Sequence, residues 1–368
     1  MSPINRIQRY IFAECFAALA LVVGIIVLAI MIVDVVEQMR TIGTRADITL
    51  LAAARLSAMK LPMLIEQTLP FAMLVATMIA FSRLSRRAEL PVIRASGVSA
   101  WRFVSPALLL AVLAGLFATM ALNPVGSALK NMFDDESARI LATDGRPDAA
   151  EAQVWLRDST DARQIIIRAG SLVPNSTTLE NVVMIIQGQG RGQDGMQFER
   201  RIDAGRATLA EGYWRLEDYV VNYPGERPRA GDMLSVRTEL ERETLIERFG
   251  SPAAIGFWDL PEFIRQTSEA GFGVTRYQMR WHQLAAAPAM FAAMAMIGAL
   301  TFLRLARLGG ATRLFLIGVG AAMALFFIAQ FFASLGAAGA LPPLTTAWAP
   351  PLFALFTGFT MLAFQEDG

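Results

Sequence analysis

Six runs of apolar residues, each long enough to cross a lipid bilayer, fix most of what this chain can become. They lie near Ile11–Val33, Pro62–Phe81, Phe103–Leu122, Leu284–Leu303, Leu314–Leu335 and Trp348–Phe364. A hydrocarbon core about 30 Å thick takes roughly 20 helical residues, and a helix satisfies its own backbone there. Composition agrees: 54% of the 368 residues are hydrophobic and 18% charged, where soluble domains carry about 25% charged. The first run exceeds the roughly 7–15 apolar residues of a secretory signal, and no small-residue cleavage pattern follows it. The expected fold is an α-helical membrane protein with six transmembrane helices, three before and three after a long insert.

Basic residues near the spans give the orientation. One set of flanks holds Arg6, Arg9, Arg83, Arg86, Arg87, Arg94, Arg102, Arg304, Arg307 and Arg313; the opposite short loops hold only Arg40, Arg45, Arg55 and Lys60. Both termini are therefore expected in the cytoplasm and the insert outside, which is the periplasm if the cell is Gram-negative.

The insert, about Asn123–Arg280, changes character. After a polar helical stretch come short runs rich in branched residues: "VWLRD" (154–158), "QIIIR" (164–168), "NVVMIIQ" (181–187) and "LSVRTEL" (234–240). "RIDAGRATLAEGYWRLEDYVVNY" reads as a hairpin turning at Glu211-Gly212, with Trp214, Leu216 and Val220 on one face against Arg215 and Glu217. Strands without intervening helices predict an all-β sandwich or jelly roll. A helix follows, with Asp259 as N-cap ahead of "LPEFIRQTSEAG". Three units result: 1–122 with spans one to three, 123–280 with the β domain and its helical connectors, and 281–368 with spans four to six.

Several activities are excluded. The lysines are Lys60, after Met59, and Lys130, after Leu129, so no Gly-Lys-Ser/Thr loop exists to cradle nucleotide phosphates. Transport work by this chain must draw on another subunit or an ion gradient. The middles of spans three to six lack ionisable residues, which argues against an ion-coupled pump. One cysteine, Cys15, rules out an internal disulfide, and with one histidine, His282, the usual zinc sets are out of reach. No cofactor is implied, and a net charge of +1 gives no case for nucleic acid.

Polar candidates remain at the outer ends of spans one and two. Asp34 and Glu37 lie one turn apart with Arg40 a turn beyond, and Glu66 sits about one turn inside the interface. They fit either ordinary wet interfacial residues or the mouth of a cavity between helices. Span five carries Phe326, Phe327, Phe331 and Phe332 around Gln330. That cluster fits plain packing against lipid, or a wall that holds acyl chains.

Taken together, "RYI" before span one, "SRLSRRAELPVIRASG" after span two, "VWLRD", "RIDAGRATLAEGYWRLED", "RLGGATRL" and "GALPPLTTAWAP" resemble, in order and spacing, the lipopolysaccharide-export permeases of the LptF/LptG family. The likeness covers nearly the whole chain. "VDVVEQM" closing span one and the Gly-Gly and Pro-Pro loops are more similar to LptG. The resemblance implies a non-catalytic permease subunit paired with an LptF-like partner and powered by two LptB-like ATPases. Its implied task is to extract lipopolysaccharide from the inner membrane. The lipid then passes through a periplasmic β-jelly roll, able to offer an edge strand, to an LptC-like protein and an LptA-like bridge.

The resemblance also gives the loop after span two a role as coupling helix, about 84–100. It implies that Glu89, Leu90, Ile93, Arg94 and Gly97 meet the ATPase, with the helix starting close to Glu89 because Pro91 is tolerated only in a first turn. Asp34, Glu37, Arg40, Glu66, Phe326, Phe327 and Gln330 are the residues expected at a substrate cavity or lateral gate. One departure stands out. Such permeases often carry lysines at the outer end of span one, whereas here Met31, Glu37 and Gln38 surround Asp34, leaving Arg40, Arg45, Arg55 and Lys60 as candidates by charge and location. A membrane-anchored docking scaffold that conducts no lipid is the competing class, and lipid contacts inside the spans separate the two.

Overall fold

The computed structural model describes residues 3–41, 49–87, 89, 98–143, 154–160, 163–172, 177–189, 196–210, 212–238, 252–269, 273–304 and 311–366. Before the strands come α1 (Pro3–Thr41), α2 (Leu50–Arg86), α3 (Ala100–Phe117), a π turn (Ala118–Leu122) and α4 (Asn123–Thr143). After them come a 3-10 turn (Pro252–Ala254), α5 (Leu260–Glu269), α6 (Thr275–Arg304), α7 (Ala311–Ala337) and α8 (Pro343–Glu366). Six segments are long and apolar enough to cross a membrane, each containing most or all of one sequence-defined run.

These helices outrun the apolar runs. α1 has 39 residues and α2 has 37, so at about 1.5 Å per residue both extend well past a bilayer core of about 30 Å. The polar flanks continue the helix because nothing there breaks it. The side chain of Thr49 caps α2 by accepting the Ala52 N–H at 3.2 Å. The third span runs through the π turn into α4 without a break. The boundary drawn from sequence at Asn123 therefore falls inside a continuous helix.

α6 is the most enclosed span, and α1, α7 and α8 the least. Close approach explains part of this. A Cβ on Gly115 of α3 would stand 2.5 Å from the Pro288 Cα of α6, so only glycine lets these helices touch here. Pro288 lacks the N–H that would bond the Leu284 carbonyl, and the Thr119 hydroxyl of the π turn donates to that carbonyl at 2.9 Å. In the same turn the Met120 carbonyl accepts the Trp258 indole N–H at 3.1 Å. Two helix irregularities thus find partners outside their own helices, as the absence of water in a bilayer demands.

The insert folds as one antiparallel sheet of β1 (Val154–Thr160), β2 (Arg163–Ala169), β3 (Ser171–Leu172), β4 (Thr178–Gln189), β5 (Met196–Ala210), β6 (Tyr213–Asn222) and β7 (Arg229–Arg237). The order is β1-β2-β4-β5-β6-β7, with β3 also on β4. The runs at 154–158, 164–168 and 181–187 are strands throughout, and the run at 234–240 is strand as far as Arg237, with 239–240 outside the described residues. Gly212 closes the β5–β6 hairpin at φ 78°, while Glu211 lies outside the described residues. Asp259 occupies the N-cap position of α5, its carbonyl accepting the Phe263 N–H at 3.0 Å.

One expected side chain points the other way. Trp214 and Leu216 are buried, but Val220 is 37% exposed and Val221 is buried instead. The cause is Asp218, whose φ of 52° shifts the two-residue alternation by one. Asn181 on β4 has the same φ of 52°. The registers set Asn181 opposite Gly205 of β5, and Gly205 opposite Asp218 of β6. On all three strands the inward positions change phase at this row, from Leu179 to Val182, from Ala204 to Ala207 and from Leu216 to Val221. Asn and Asp are the non-glycine residues that most readily tolerate such backbone. The sheet also curls: the Thr238 hydroxyl, just past β7, donates to the Asp158 carboxylate of β1, and both are buried. The two outermost strands of a single sheet thereby meet, and Trp214 fills the concave core.

Candidate functional site

A cavity of about 650 Å³ lies between α2, the π turn, α6, α7 and α8. It has a polar mouth and an apolar floor. Glu66, Gln67, Arg280, Gln283 and Gln330 surround the mouth; Phe71, Met290, Phe291, Met294 and Phe326 line the depth. One stripe of α6 supplies much of this gradient. Arg280, Gln283, Ala287, Met290 and Met294 recur every three or four residues, the spacing of one helix face. A second cavity of about 490 Å³ continues outward, sharing Gln67, Met279, Arg280, Gln283 and Gln330 and adding Arg276. Phe71 of α2 meets Phe326 of α7 edge to face at 5.1 Å.

A polar chain pins the mouth. The Glu66 carboxylate accepts Arg280 Nη2 at 2.8 Å on one oxygen and Asn123 Nδ2 at 2.8 Å on the other. Asn123 Oδ1 accepts the Phe257 N–H at 2.8 Å. Four segments far apart in sequence are thus joined: α2, the start of α4, the turn before α5, and α6. Asn123 is only 2% exposed, so its amide is committed to this task. Arg280 retains a buried Nε with no hydrogen-bond partner among the described residues.

Of the residues expected at a cavity, Glu66, Phe326 and Gln330 come together here, and Phe327 faces outward at 61% exposure. Asp34, Glu37 and Arg40 form another group. Asp34 is buried and accepts Lys60 Nζ at 2.6 Å, with Gln38 Nε2 at 3.4 Å. Lys60 also lies 5.4 Å from the centre of the Phe133 ring, and Lys130 5.7 Å from the same ring. Lys60 is therefore engaged in tying α1 to α2. Glu37 and Arg40 stand exposed, 3.8 Å apart. Arg55 is 3.9 Å from Glu136, and Arg45 lies outside the described residues.

At the opposite end of the bundle, Glu89 accepts the Tyr10 hydroxyl at 3.4 Å, and Arg87 donates to the same hydroxyl at 3.3 Å. "RYI" and the acid that follows span two thus meet. Leu90, Ile93, Arg94 and Gly97 lie outside the described residues. Glu14, inside the first apolar run, pairs with Arg83 of α2 at 3.5 Å.

Sequence reasoning missed Asn123, Arg280, Gln67, Gln283 and Glu14. The first two fell in the segment assigned to the insert, outside the membrane. Glutamines in otherwise apolar spans were the available signal for the next two, because an amide there needs a partner.

The profile of the lipopolysaccharide export system permease LptF/LptG family matches residues 9–363. The chain belongs to this family. It is a multi-pass inner-membrane permease subunit of the lipopolysaccharide export system, which works with other components of that system. The six spans and inserted antiparallel sheet of the permease agree with that membership. No individually curated protein matches the permease.

Proposed function

We propose that this permease is the LptG-type half of a heterodimer. Its LptF-like partner covers the outward faces of α1 and α7, and two LptB-like ATPases drive the pair from the cytoplasm. The observation that supports this is the apolar exposure of α1. Ile25, Leu28, Ile32, Val33 and Val36 are each at least 60% exposed, on a helix whose earlier stretch, Ile11 to Val22, packs into the bundle core. Such a face suits lipid or a second permease. "VDVVEQM" and the Gly-Gly and Pro-Pro loops favour LptG over LptF.

In this reading lipopolysaccharide enters sideways between the two permeases. It meets Phe327 and Phe331 of α7, with Asp34, Glu37 and Arg40 at the outer rim. The lipid then rises to the β domain, in the periplasm, and crosses to an LptC-like protein and an LptA-like bridge. β1 and β7 each have one strand neighbour among the described residues; beyond the Thr238–Asp158 contact that brings them together, a β partner is expected to extend one of these edges. Both termini and the loop carrying Glu89, Leu90, Ile93, Arg94 and Gly97 face the cytoplasm, where that loop docks on the ATPase.

The test is affinity purification of the tagged permease with photo-crosslinkers at Val33 and Phe327. Recovery of an ATPase and a second permease, with lipopolysaccharide adducts at both positions, is the expected result. An intact complex with no lipid adduct at either position sinks the transport route and leaves a docking scaffold.

A further inference from the structure

A separate groove of about 420 Å³ opens at the Glu89 end of the bundle, between α2, α6 and α7. Its floor is apolar, made of Met78, Phe302 and Phe315. Its rim is polar, made of Ser82, Arg83, Arg86 and Thr312. Helix packing explains where it begins. A Cβ on Gly318 of α7 would lie 2.7 Å from Met78 Cε and 3.0 Å from Thr301 Oγ1, so α7 closes on α2 and α6 there. One and two turns nearer its start, α7 carries Phe315 and Thr312, and the groove opens between them and α2. Met78, Ser82 and Arg86 repeat every four residues, so one face of α2 runs from floor to rim over about 12 Å.

Arg86 supplies an uncommitted cation at the rim. Its side chain makes no hydrogen bond or ion pair among the described residues. Its neighbours differ: Arg83 is held by Glu14 at 3.5 Å, and Arg87 donates to the Tyr10 hydroxyl at 3.3 Å and lies 4.0 Å from Glu89. The connecting stretches add charge of the same sign. Residues 87–99 and 304–313 hold five arginines and one acid, Glu89, and that acid already has Arg87 and Tyr10 beside it. Depth is also informative. Arg86 stands five residues past Phe81, the end of the second apolar run, or about 7–8 Å along the helix. Head groups add about 5–8 Å to each side of a hydrocarbon core. The Arg86 guanidinium therefore stands at the level of lipid phosphates, and Met78 and Phe315 at the level of the first chain carbons.

We propose that this groove binds an anionic phospholipid, with its phosphate at Arg86 and the hydroxyls of Ser82 and Thr312, and its first chain carbons over Met78, Phe302 and Phe315. The arginine-rich surroundings select a monoanionic head over a zwitterionic one, whose ammonium group meets like charge there. The apolar floor directly beneath the cation favours a lipid over an acidic segment of a protein partner. In the orientation proposed above, this end faces the inner leaflet, and the bound lipid is distinct from the exported lipopolysaccharide. The leaflet rests on that reading; the binding itself does not.

The experiment places a photo-crosslinking residue at Phe315, in the groove, and in a parallel protein at Phe364, which is 77% exposed in the last turn of α8. The permease is purified with its partners and reconstituted in vesicles of phosphatidylethanolamine with phosphatidylglycerol as the minor lipid and lipopolysaccharide added. Mass spectrometry reads the adducts. At Phe315 phosphatidylglycerol is expected several-fold above its share of the vesicle lipid, and at Phe364 at that share. Arg86→Gln is expected to return Phe315 to the bulk ratio, Arg86→Lys to keep part of the enrichment, and Arg87→Gln to keep all of it. A bulk ratio at Phe315 in the unsubstituted permease, or enrichment that survives Arg86→Gln, overturns the site. Loss of the ATPase in Arg86→Gln with enrichment unchanged assigns Arg86 to a protein contact and overturns it as well. Lipopolysaccharide adducts at Phe315 beside undiminished phosphatidylglycerol enrichment refute the orientation and leave the site standing.

Discussion

Asn123→Ala tests whether the chain from α6 to the turn before α5 is one mechanical unit. The substitution removes the 2.8 Å bond to Glu66 and the 2.8 Å bond from Phe257. A hydrogen bond to a charged group contributes about 1.5–3 kcal/mol, and an orphaned buried N–H costs about 1–3 kcal/mol. The expected loss is therefore about 3–5 kcal/mol, or very roughly 10 °C in the melting temperature for a chain of this size. Asn131→Ala is the matched control. It removes a single exposed bond to the Ala254 carbonyl at 3.3 Å and is expected to cost less than about 1 kcal/mol. Both variants are read by thermal unfolding of the purified protein in detergent. Hydrogen exchange gives the local readout: the Phe257 amide loses protection in Asn123→Ala and keeps it in Asn131→Ala. Equal melting temperatures, with the Phe257 amide still protected, refute the reasoning, because another acceptor must then hold that N–H.

Gly115→Ala forces a Cβ to within 2.5 Å of the Pro288 backbone and is expected to destabilise by about 1–3 kcal/mol; Gly24→Ala, with open space around it, is the control in the same melting assay. Trp214→Ala empties the centre of the β domain at about 3–5 kcal/mol and exposes the insert to limited proteolysis. Trp214→Phe is expected to cost much less, because the indole N–H it removes has no partner among the described residues. Glu89→Arg is expected to weaken recovery of the ATPase in pull-downs or to uncouple its hydrolysis from transport; normal assembly and normal transport together remove the role assigned to Glu89. Tyr10→Phe, which deletes the 3.4 Å bond to Glu89, is expected to have a milder effect in the same direction.

Architecture was legible because bilayers and sheets impose simple periodicities. Six runs of span length became six helices, and strands read from branched residues between turn signals became strands. The site was harder to read because its residues come from places where periodicity says little. Asn123 and Arg280 each sit at the boundary where an apolar run gives way to polar sequence, and a hydropathy reading discards such residues as already outside the membrane. The helices continue past that boundary, and both side chains turn back toward the mouth. Glu66 was visible as an acid near the interface, but its partners are 57 and 214 residues away in sequence, and no local pattern announces such a pairing. The same limit explains Val220. Alternation predicted its face correctly up to Asp218, and only the positive φ there reversed it.

Lys60 shows how a structure reassigns a charge. By position it was a candidate to meet lipid phosphate, but Asp34 holds it at 2.6 Å and the Phe133 ring lies alongside. Releasing it toward an anion would leave Asp34, already buried, without its cation, a cost of several kcal/mol in so apolar a setting. Lys60 therefore acts as a tie between the outer halves of α1 and α2. Lys60→Met is expected to loosen α1, read as faster exchange of backbone amides around Asp34. Unchanged exchange of those amides in Lys60→Met would show that the Asp34–Lys60 pair does not hold α1 against α2.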